Sequence, residues 1–269
     1  MKVFVTGSTG LLGNNLVRLL DQKGYQVIGL VRSEGKGKWL LGNTRAQLIR
    51  GDMRDVASFA HALEGCEAVL HTAAYFREYY ASMRDHPQPL EEINLRAALS
   101  LMTEADRRGV GRFVHVSSAG AIGMKPDGSA GDEETPPLPF QGSNLYWKSK
   151  VDGDAAIRAW RPQRGMEVVE VLPGWMWGPG DAGPTAAGQI VLDFLARRLP
   201  GIVDGGQSVV DVRDVAATML TALEKGRPGQ RYIVAGHYHT IEEILQVLQG
   251  VSGVRAPRHS ASPRGMSTA

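Results

Sequence analysis

The sequence predicts a doubly wound α/β fold, a parallel sheet with helices on both faces, followed by a small mixed C-terminal lobe. Three observations carry this expectation. Short apolar runs alternate with longer amphipathic ones through residues 1–172. The opening stretch, MKVFVTGSTGLLG, reads as a strand, a glycine-rich turn and the start of a helix. After Leu172 the alternation gives way to shorter, mixed elements.

Taken in order, Val3, Phe4 and Val5 suit a buried strand. The segment 11–23 carries Leu12, Leu16, Leu19 and Leu20 on one side, and Gly24 stops that helix. Strands are expected at 26–31, 46–50, 68–71, 113–117 and 168–172. Helices are expected at 56–63, 90–109 and 144–161. Strands joined by helical crossovers run parallel, and ligands sit beyond their carboxyl ends. Residues 173–185, rich in Pro, Gly and Trp, read as an ordered loop. A helix at 186–198, a strand at 209–212 and a helix at 214–225 stopped by Gly226 follow. Then come a strand at 231–234 and a helix at 240–248, where Thr240 and Glu243 have capping-box spacing. The domain reading is a binding and catalytic core over 1–172 and a smaller lobe over 173–253, interleaved with the core. The aperiodic stretch 254–269 is rich in Arg, Pro and Ser and is expected to be mobile.

Composition narrows the function classes. A formal net charge of +2 over 269 residues, with no long basic run, argues against nucleic-acid and membrane-surface binding. No 18-residue apolar run and no basic-then-apolar leader is visible, so neither a spanning helix nor a signal peptide is expected. The single cysteine, Cys66, excludes an internal disulfide and fits a reducing cytoplasm. It opens an apolar strand and reads as a packed residue rather than a nucleophile.

The glycines at 7, 10 and 13 follow a G-x-x-G-x-x-G spacing between a strand and a helix. The first-turn N–H groups and the helix dipole attract a pyrophosphate there, and glycine removes the Cβ that would block its approach. A phosphate-free tight turn is the alternative. Tyr146 and Lys150 lie one helical turn apart on one face. A lysine ammonium favours phenolate and lowers a tyrosine pKa from about 10, which makes Tyr146 a usable proton donor or acceptor. The bland alternative is a surface helix pair. Ser117-Ser118 ends the fifth strand, where a hydroxyl can hold a carbonyl oxygen, or cap a turn. In this order on one βαβ pattern, the three features are improbable together by chance.

The sequence resembles an extended short-chain dehydrogenase/reductase of the NAD-dependent epimerase/dehydratase group, nearest to the bacterial dihydroflavonol-4-reductase-like branch. The matching stretches are TGSTGLLG, GDMRD, HTAAYF, VHVSSAG, YWKSK and LPGWMWGPGD, and the resemblance covers residues 1 to about 255. It implies a Rossmann-type fold. It implies that Tyr146 is the general acid/base, that Lys150 holds the ribose and tunes Tyr146, and that Ser118 orients the substrate oxygen. Asn94 falls where the family has a helix Asn near the active site, with a cap or kink as its alternative role. Gly7, Thr9, Gly10, Leu11, Leu12 and Gly13 are implied at the pyrophosphate. Asp52 and Met53 are implied along the adenine, Ala73 and Ala74 near ribose and phosphate, and Pro173 and Gly174 at the nicotinamide carboxamide. His71 is read as a packed strand-end residue.

An NAD site usually has an acidic residue at the end of the second strand. This chain has Arg32, followed by Lys36 and Lys38. Arginine pairs with a 2′-phosphate and stacks on adenine, so NADP(H) is the expected cofactor, with NAD(H) possible if Arg32 only stacks. Tyr75, Phe76, Tyr79, Tyr80, Trp175 and Trp177 are candidates to line an apolar substrate pocket, with loop packing the alternative for Tyr79 and Tyr80. Plant dihydroflavonol reductases carry an Asn five residues after the serine, whereas this chain has Gly123, which argues against a flavonoid specialist. Relatives continue with further helix where this chain ends in SASPRGMSTA, a departure that bears on the substrate lobe more than on the cofactor site. No metal is expected. The leading expectation is a hydride transfer between nicotinamide and a small-molecule carbonyl or alcohol, in the cytoplasm. A nucleotide-sugar epimerase or dehydratase and a non-catalytic dinucleotide sensor are the alternatives. Relatives pair the helices near 90–109 and 144–161 across a dimer, which makes a homodimer the assembly to look for.

Overall fold

A seven-stranded sheet forms the centre of the molecule, described by a computed structural model over residues 1–76, 87–139, 144–161 and 164–257. The first half runs β1 (Lys2–Thr6), α1 (Leu11–Gln22), β2 (Gln26–Val31), α2 (Glu34–Leu41), β3 (Gln47–Arg50), α3 (Val56–Phe59), β4 (Ala68–His71) and α4 (Pro87–Glu91). A π-helical stretch (Glu92–Ala97) joins α4 to α5 (Ala98–Arg107), followed by β5 (Arg112–Val116), α6 (Leu145–Trp160) and β6 (Glu167–Pro173). Then come β7 (Trp175–Trp177), α7 (Ala186–Leu195), β8 (Gly206–Asp211), α8 (Val212–Lys225), β9 (Arg231–Val234), β10 (His237–Thr240) and α9 (Ile241–Ser252). The strand order is β3-β2-β1-β4-β5-β6-β9, with every pairing parallel. A second sheet, β10-β8-β7, joins β8 antiparallel to β10 and parallel to β7.

The two-residue period of a strand sends alternate side chains to opposite faces. Val3 and Val5 join a core with Leu16, Leu20, Val215 and Met219 under α1 and α8. Phe4 points the other way, stacked on Phe59 with ring centroids 6.0 Å apart, in a core that includes Leu101 and Ile157. Both faces of the sheet are therefore covered, as the near-continuous apolar strands require. Cys66 is buried, with its Sγ donating to the Ala62 carbonyl at 3.4 Å, and burial pushes its thiol up.

The expected parallel sheet is present, and its local errors have physical causes. Residues 34–41 form α2, which carries Gly35 and Gly37, both poor helix formers. Ser33 rescues that helix by accepting from Lys36 N. The expected loop 173–185 contains β7, only three residues long. β10 has the sequence HYHT, without an apolar alternation to reveal it. The expected 56–63 helix splits into α3 and a 3-10 turn at Ala60–Leu63. The long helix expected at 90–109 starts at Pro87 and contains the π stretch. The Thr240/Glu243 capping box is formed in both directions.

Candidate active site

The glycine turn follows β1 at the carboxyl edge of the sheet. Gly7 has φ +68°, and a Cβ there would lie 2.6 Å from Thr72 Oγ1 and 2.8 Å from Ala73 N. At Gly13 a Cβ would sit 2.1 Å from the Gly7 carbonyl oxygen. Gly10 N donates to that same oxygen at 2.8 Å and closes the turn. At Gly10 itself a Cβ would meet only Gly7 O, at 3.2 Å, and otherwise face open space. Gly10 is the N-cap of α1, no side chain caps the helix, and its first turn carries no acid. The N–H groups of Leu11, Leu12 and Gly13 thus depend on a partner from outside the helix. An uncapped helix start with a glycine-cleared approach fits an anionic phosphate.

Neighbouring strand ends complete this edge. Thr6 Oγ1 accepts from Ala73 N at 3.3 Å, and Thr72 Oγ1 donates to Thr6 O at 2.8 Å, which fixes the backbone leading into Ala74. Asp52 caps the 3-10 turn at Met53–Asp55 through Arg54 N, and Met53 is buried. Arg32 is exposed immediately after β2, and Lys36 and Lys38 lie on α2 behind it.

Helix α6 supplies the second part of the site. Its N-cap Asn144 accepts from Trp147 N at 3.0 Å. Tyr146 and Lys150 share one face, with Lys150 Nζ 5.8 Å from the centre of the Tyr146 ring. Lys150 is 4% exposed, and its Nζ donates to Val116 O, at the end of β5, over 3.0 Å. Burial pushes its ammonium down to about 8, and the Asp154 carboxylate opposes that fall. Phe76 meets Tyr146 edge-on, with centroids 4.7 Å apart. Ser118 follows β5 and caps a 3-10 turn (Ala119–Ala121) by accepting from Gly120 N at 3.1 Å. Gly120 lies against Trp147, whose Nε1 would be 2.5 Å from a Cβ there.

Asn94 lies in the π stretch, 5% exposed. Its Oδ1 accepts from Tyr75 N at 2.7 Å, and its Nδ2 donates to Tyr75 O and to Ser149 Oγ, both at 3.1 Å. Ser149 Oγ donates in turn to Tyr146 O at 2.7 Å. Asn94 therefore ties the segment bearing Tyr75 and Phe76 to the turn of α6 bearing Tyr146.

Sequence reasoning missed a polar row beneath α6. In-register pairs run Thr6–His71, His71–His115, His115–Glu170 and Glu170–Arg231 across β1, β4, β5, β6 and β9. Thr6 Oγ1 is hydrogen-bonded to His71 Nδ1 at 2.7 Å, and the two histidine rings stack with centroids 5.4 Å apart. Burial, reinforced by Lys150, pushes His71 down to about 3. His115 is likewise held well below the usual histidine range, by burial and then by His71 and Lys150. Glu170 is fully buried, and burial followed by the nearby Asp154 charge pushes its carboxyl up to about 8. Arg231 donates to Asp154 Oδ2 at 3.1 Å. The signal was in the sequence: a histidine, a glutamate and an arginine in mostly apolar strands.

Trp175 and Trp177 stand on β7 with their rings edge to face, 4.9 Å apart. Gly174 is packed between the two sheets, where a Cβ would lie 2.6 Å from Ser208 O and 2.8 Å from Ala235 O. Pro173 ends β6 beside it. Tyr79 and Tyr80 lie outside the described residues, as does the 258–269 part of the expected tail. Among the described residues no helix is long and apolar enough to cross a membrane, and no cluster of His, Cys, Asp or Glu could hold a metal ion.

Residues 3–235 match the NAD dependent epimerase/dehydratase family. The chain belongs to that family. It is 39% identical to the sterol demethylase protein B of Methylococcus capsulatus, over 99% of this chain and 79% of that protein. It is 34% identical to a putative dihydroflavonol 4-reductase of Synechocystis, over 96% of this chain and 74% of that protein. The UDP-glucose 4-epimerase of Thermus thermophilus, solved in complex with NAD, superposes with a TM-score of 0.83 at 26% identity, over 98% of this chain and 87% of that one. The chain is thus an enzyme of the extended short-chain dehydrogenase/reductase type with a Rossmann-like fold, and its family spans reductases, epimerases and dehydratases.

Proposed function

We propose that this enzyme is an NADP(H)-dependent oxidoreductase that interconverts a carbonyl and a secondary alcohol through Ser118, Tyr146 and Lys150. The observation that carries the reading is the buried Lys150 ammonium, fixed on Val116 O and 5.8 Å from the Tyr146 ring centre. The nicotinamide, when bound, supplies the hydride for reduction and accepts it in oxidation. The turn from Gly7 to Gly13 holds the pyrophosphate, with Thr9, Leu11 and Leu12 along it. Asp52 and Met53 flank the adenine, Ala73 and Ala74 the ribose and phosphate, and Pro173 and Gly174 the carboxamide. Arg32, with Lys36 and Lys38 behind it, pairs with the 2′-phosphate.

Tyr146 Oη gives a proton to the substrate oxygen on reduction and takes it back on oxidation. Lys150 supports the phenolate by its charge. The Ser118 hydroxyl orients the same oxygen. Asn94 positions Tyr146 through Ser149 and Tyr75. Phe76 and Tyr75 on one side, and Trp175 and Trp177 on the other, form the apolar lining for the substrate. A homodimer through the helices near 90–109 and 144–161 and a reducing, cytoplasmic setting complete this reading, the latter supported by the lone, buried Cys66.

The test is titration with NADPH and NADH, followed by a panel of aldehydes and ketones. NADPH is expected to bind about tenfold or more tightly than NADH, with Arg32→Ala abolishing the difference. At least one carbonyl is reduced, and Tyr146→Phe lowers kcat by about 10²–10⁴-fold. No NADPH oxidation across the panel, with Tyr146→Phe indistinguishable from wild type, refutes the proposal. The likeness to a UDP-glucose 4-epimerase favours a second reading, in which the hydride returns to the substrate. NAD retained tightly through purification would support it, whereas Arg32 and the aromatic pairs argue against it.

A further inference from the structure

The polar row and the buried face of α6 bring Lys150 into a layer of buried titratable groups, with Arg158 outside it on the exposed side of α6. Lys150 and Asp154 sit one turn apart on the buried face of α6, at 4% and 1% exposure. Tyr146 and the buried Ser117 lie beside this layer. From β4 and β5 come His71 and His115, both kept neutral by burial. From β6 comes Glu170, whose carboxyl holds its proton at pH 7. From β9 comes Arg231, and from α6 and the residue after it come Arg158 and Arg161, the last 3.8 Å from Glu170. Asp154 is the carboxyl of this group that accepts a guanidinium hydrogen bond, from Arg231 at 3.1 Å. Two neighbouring buried carboxyls do not both ionise, and the hydrogen-bonded one takes the charge. Burial pushes Asp154 up, while Ser117, Arg231, Lys150 and Arg158 favour its ionised form. Ser117, buried like Asp154, is the other polar group that favours its charge. A buried ammonium bonded only to a neutral carbonyl readily loses its proton.

We propose that Asp154, held by Arg231, is a positioning residue that keeps Lys150 charged and bonded to Val116 O, and so sets Lys150 for its work at Tyr146. This rests on the roles given above to Tyr146 and Lys150, but its first test needs neither substrate nor cofactor. The full chain is labelled with ¹³C at the lysine ε carbons, and the Lys150 signal, assigned with Lys150→Met, is titrated by NMR. In wild type the midpoint is expected near 8. In Asp154→Asn it is expected to fall by about one pH unit, and in Asp154→Glu to return towards wild type. A folded Asp154→Asn chain with an unchanged midpoint overturns the proposal. If Asp154→Asn does not fold, Asp154→Ser and Asp154→Glu are titrated instead. An unchanged midpoint in a folded Asp154→Ser chain, or failure of all three to fold, assigns Asp154 a structural role only and also overturns it. Where a carbonyl substrate is found, Asp154→Asn lowers kcat about tenfold at pH 7, with KM within about twofold. The alkaline limb of kcat for reduction then moves to lower pH, and Asp154→Glu rescues it. A shifted midpoint in a chain that reduces nothing refutes the oxidoreductase reading and leaves this proposal standing.

Discussion

Replacing Asn94 by alanine tests whether this side chain positions the site or takes part in the reaction. The wild-type amide makes three hydrogen bonds at 2.7–3.1 Å, two to the Tyr75 backbone and one to Ser149 Oγ. A buried hydrogen bond contributes about 1 kcal/mol net, so Asn94→Ala is expected to cost about 3 kcal/mol. For a chain of this size that lowers Tm by about 6–12 °C, read by calorimetry. Asn94→Asp keeps the acceptor for Tyr75 N but loses both donors and buries a charge, so it is expected to be no more stable than the alanine variant. The loss reaches catalysis through geometry, because Phe76 packs on the Tyr146 ring and Ser149 Oγ holds the Tyr146 carbonyl. A kcat about tenfold lower is therefore expected together with the loss of stability. A Tm within 2 °C of wild type, with kcat nonetheless collapsed by about 10³-fold, would refute this reasoning. It would mean that the amide touches reacting atoms rather than the scaffold.

The remaining predictions concern the turn and the buried row. Gly13→Ala puts a Cβ 2.1 Å from a backbone oxygen and is expected to cost about 3 kcal/mol, whereas Gly10→Ala, with its nearest contact at 3.2 Å, keeps Tm while weakening NADPH binding about tenfold. Melting curves with dye-free NADPH fluorescence separate the two, and equal loss of stability in both would count against the cradle. Glu170, raised to about 8 in the fold from an ordinary 4.5, stabilises fully below pH 4.5, and that contribution is lost as pH rises through 8. His71, lowered to about 3 from 6.5, does the opposite, stabilising above pH 6.5 and losing that contribution as pH falls towards 3. Glu170→Gln is therefore expected to lose ground to wild type at pH 5 and recover it by pH 8 in urea midpoints. A difference that is constant over that window, or reversed, rules the assignment out.

Much of this site was legible because its signals are local. The glycine turn is set by three nearby residues and by the strand that precedes them. The Tyr146–Lys150 pair is set by helical spacing alone, and Arg32 by its place one residue beyond β2. What escaped notice depends on partners far away in sequence. Asn94 is marked by the family resemblance, but its partners, Tyr75 and Ser149, show only once the π stretch turns its amide onto them. His115, Glu170 and Arg231 become one row only when strand register is known, although His115 and Glu170 interrupt apolar strands and Arg231 opens one. β7 escaped because three residues among glycines and prolines are too few to show a period. Local sequence marks the candidate reactive groups, whereas register decides what surrounds them.

The same distinction bears on how the substrate side is held. Helix α1, which follows the glycine turn, also carries Asn14 and Asn15. Asn14 Nδ2 donates to Gly180 O at 3.0 Å, and Asn15 Nδ2 donates to Pro179 O at 2.9 Å. Gly180, at φ +82°, fits so closely that a Cβ would lie 2.7 Å from Asn14 Oδ1. These residues directly follow β7 and its tryptophan pair, while Gly174 packs the start of β7 against both sheets. The segment bearing the tryptophan pair is thus fastened at both ends, once to the sheet and once to α1. On the opposite side, Asn94 fastens Tyr75 and Phe76 to α6. Under the proposed function, two walls anchored to α1 and α6 preorganise the substrate side, and a change of substrate calls for new side chains on those walls rather than a new placement of Lys150.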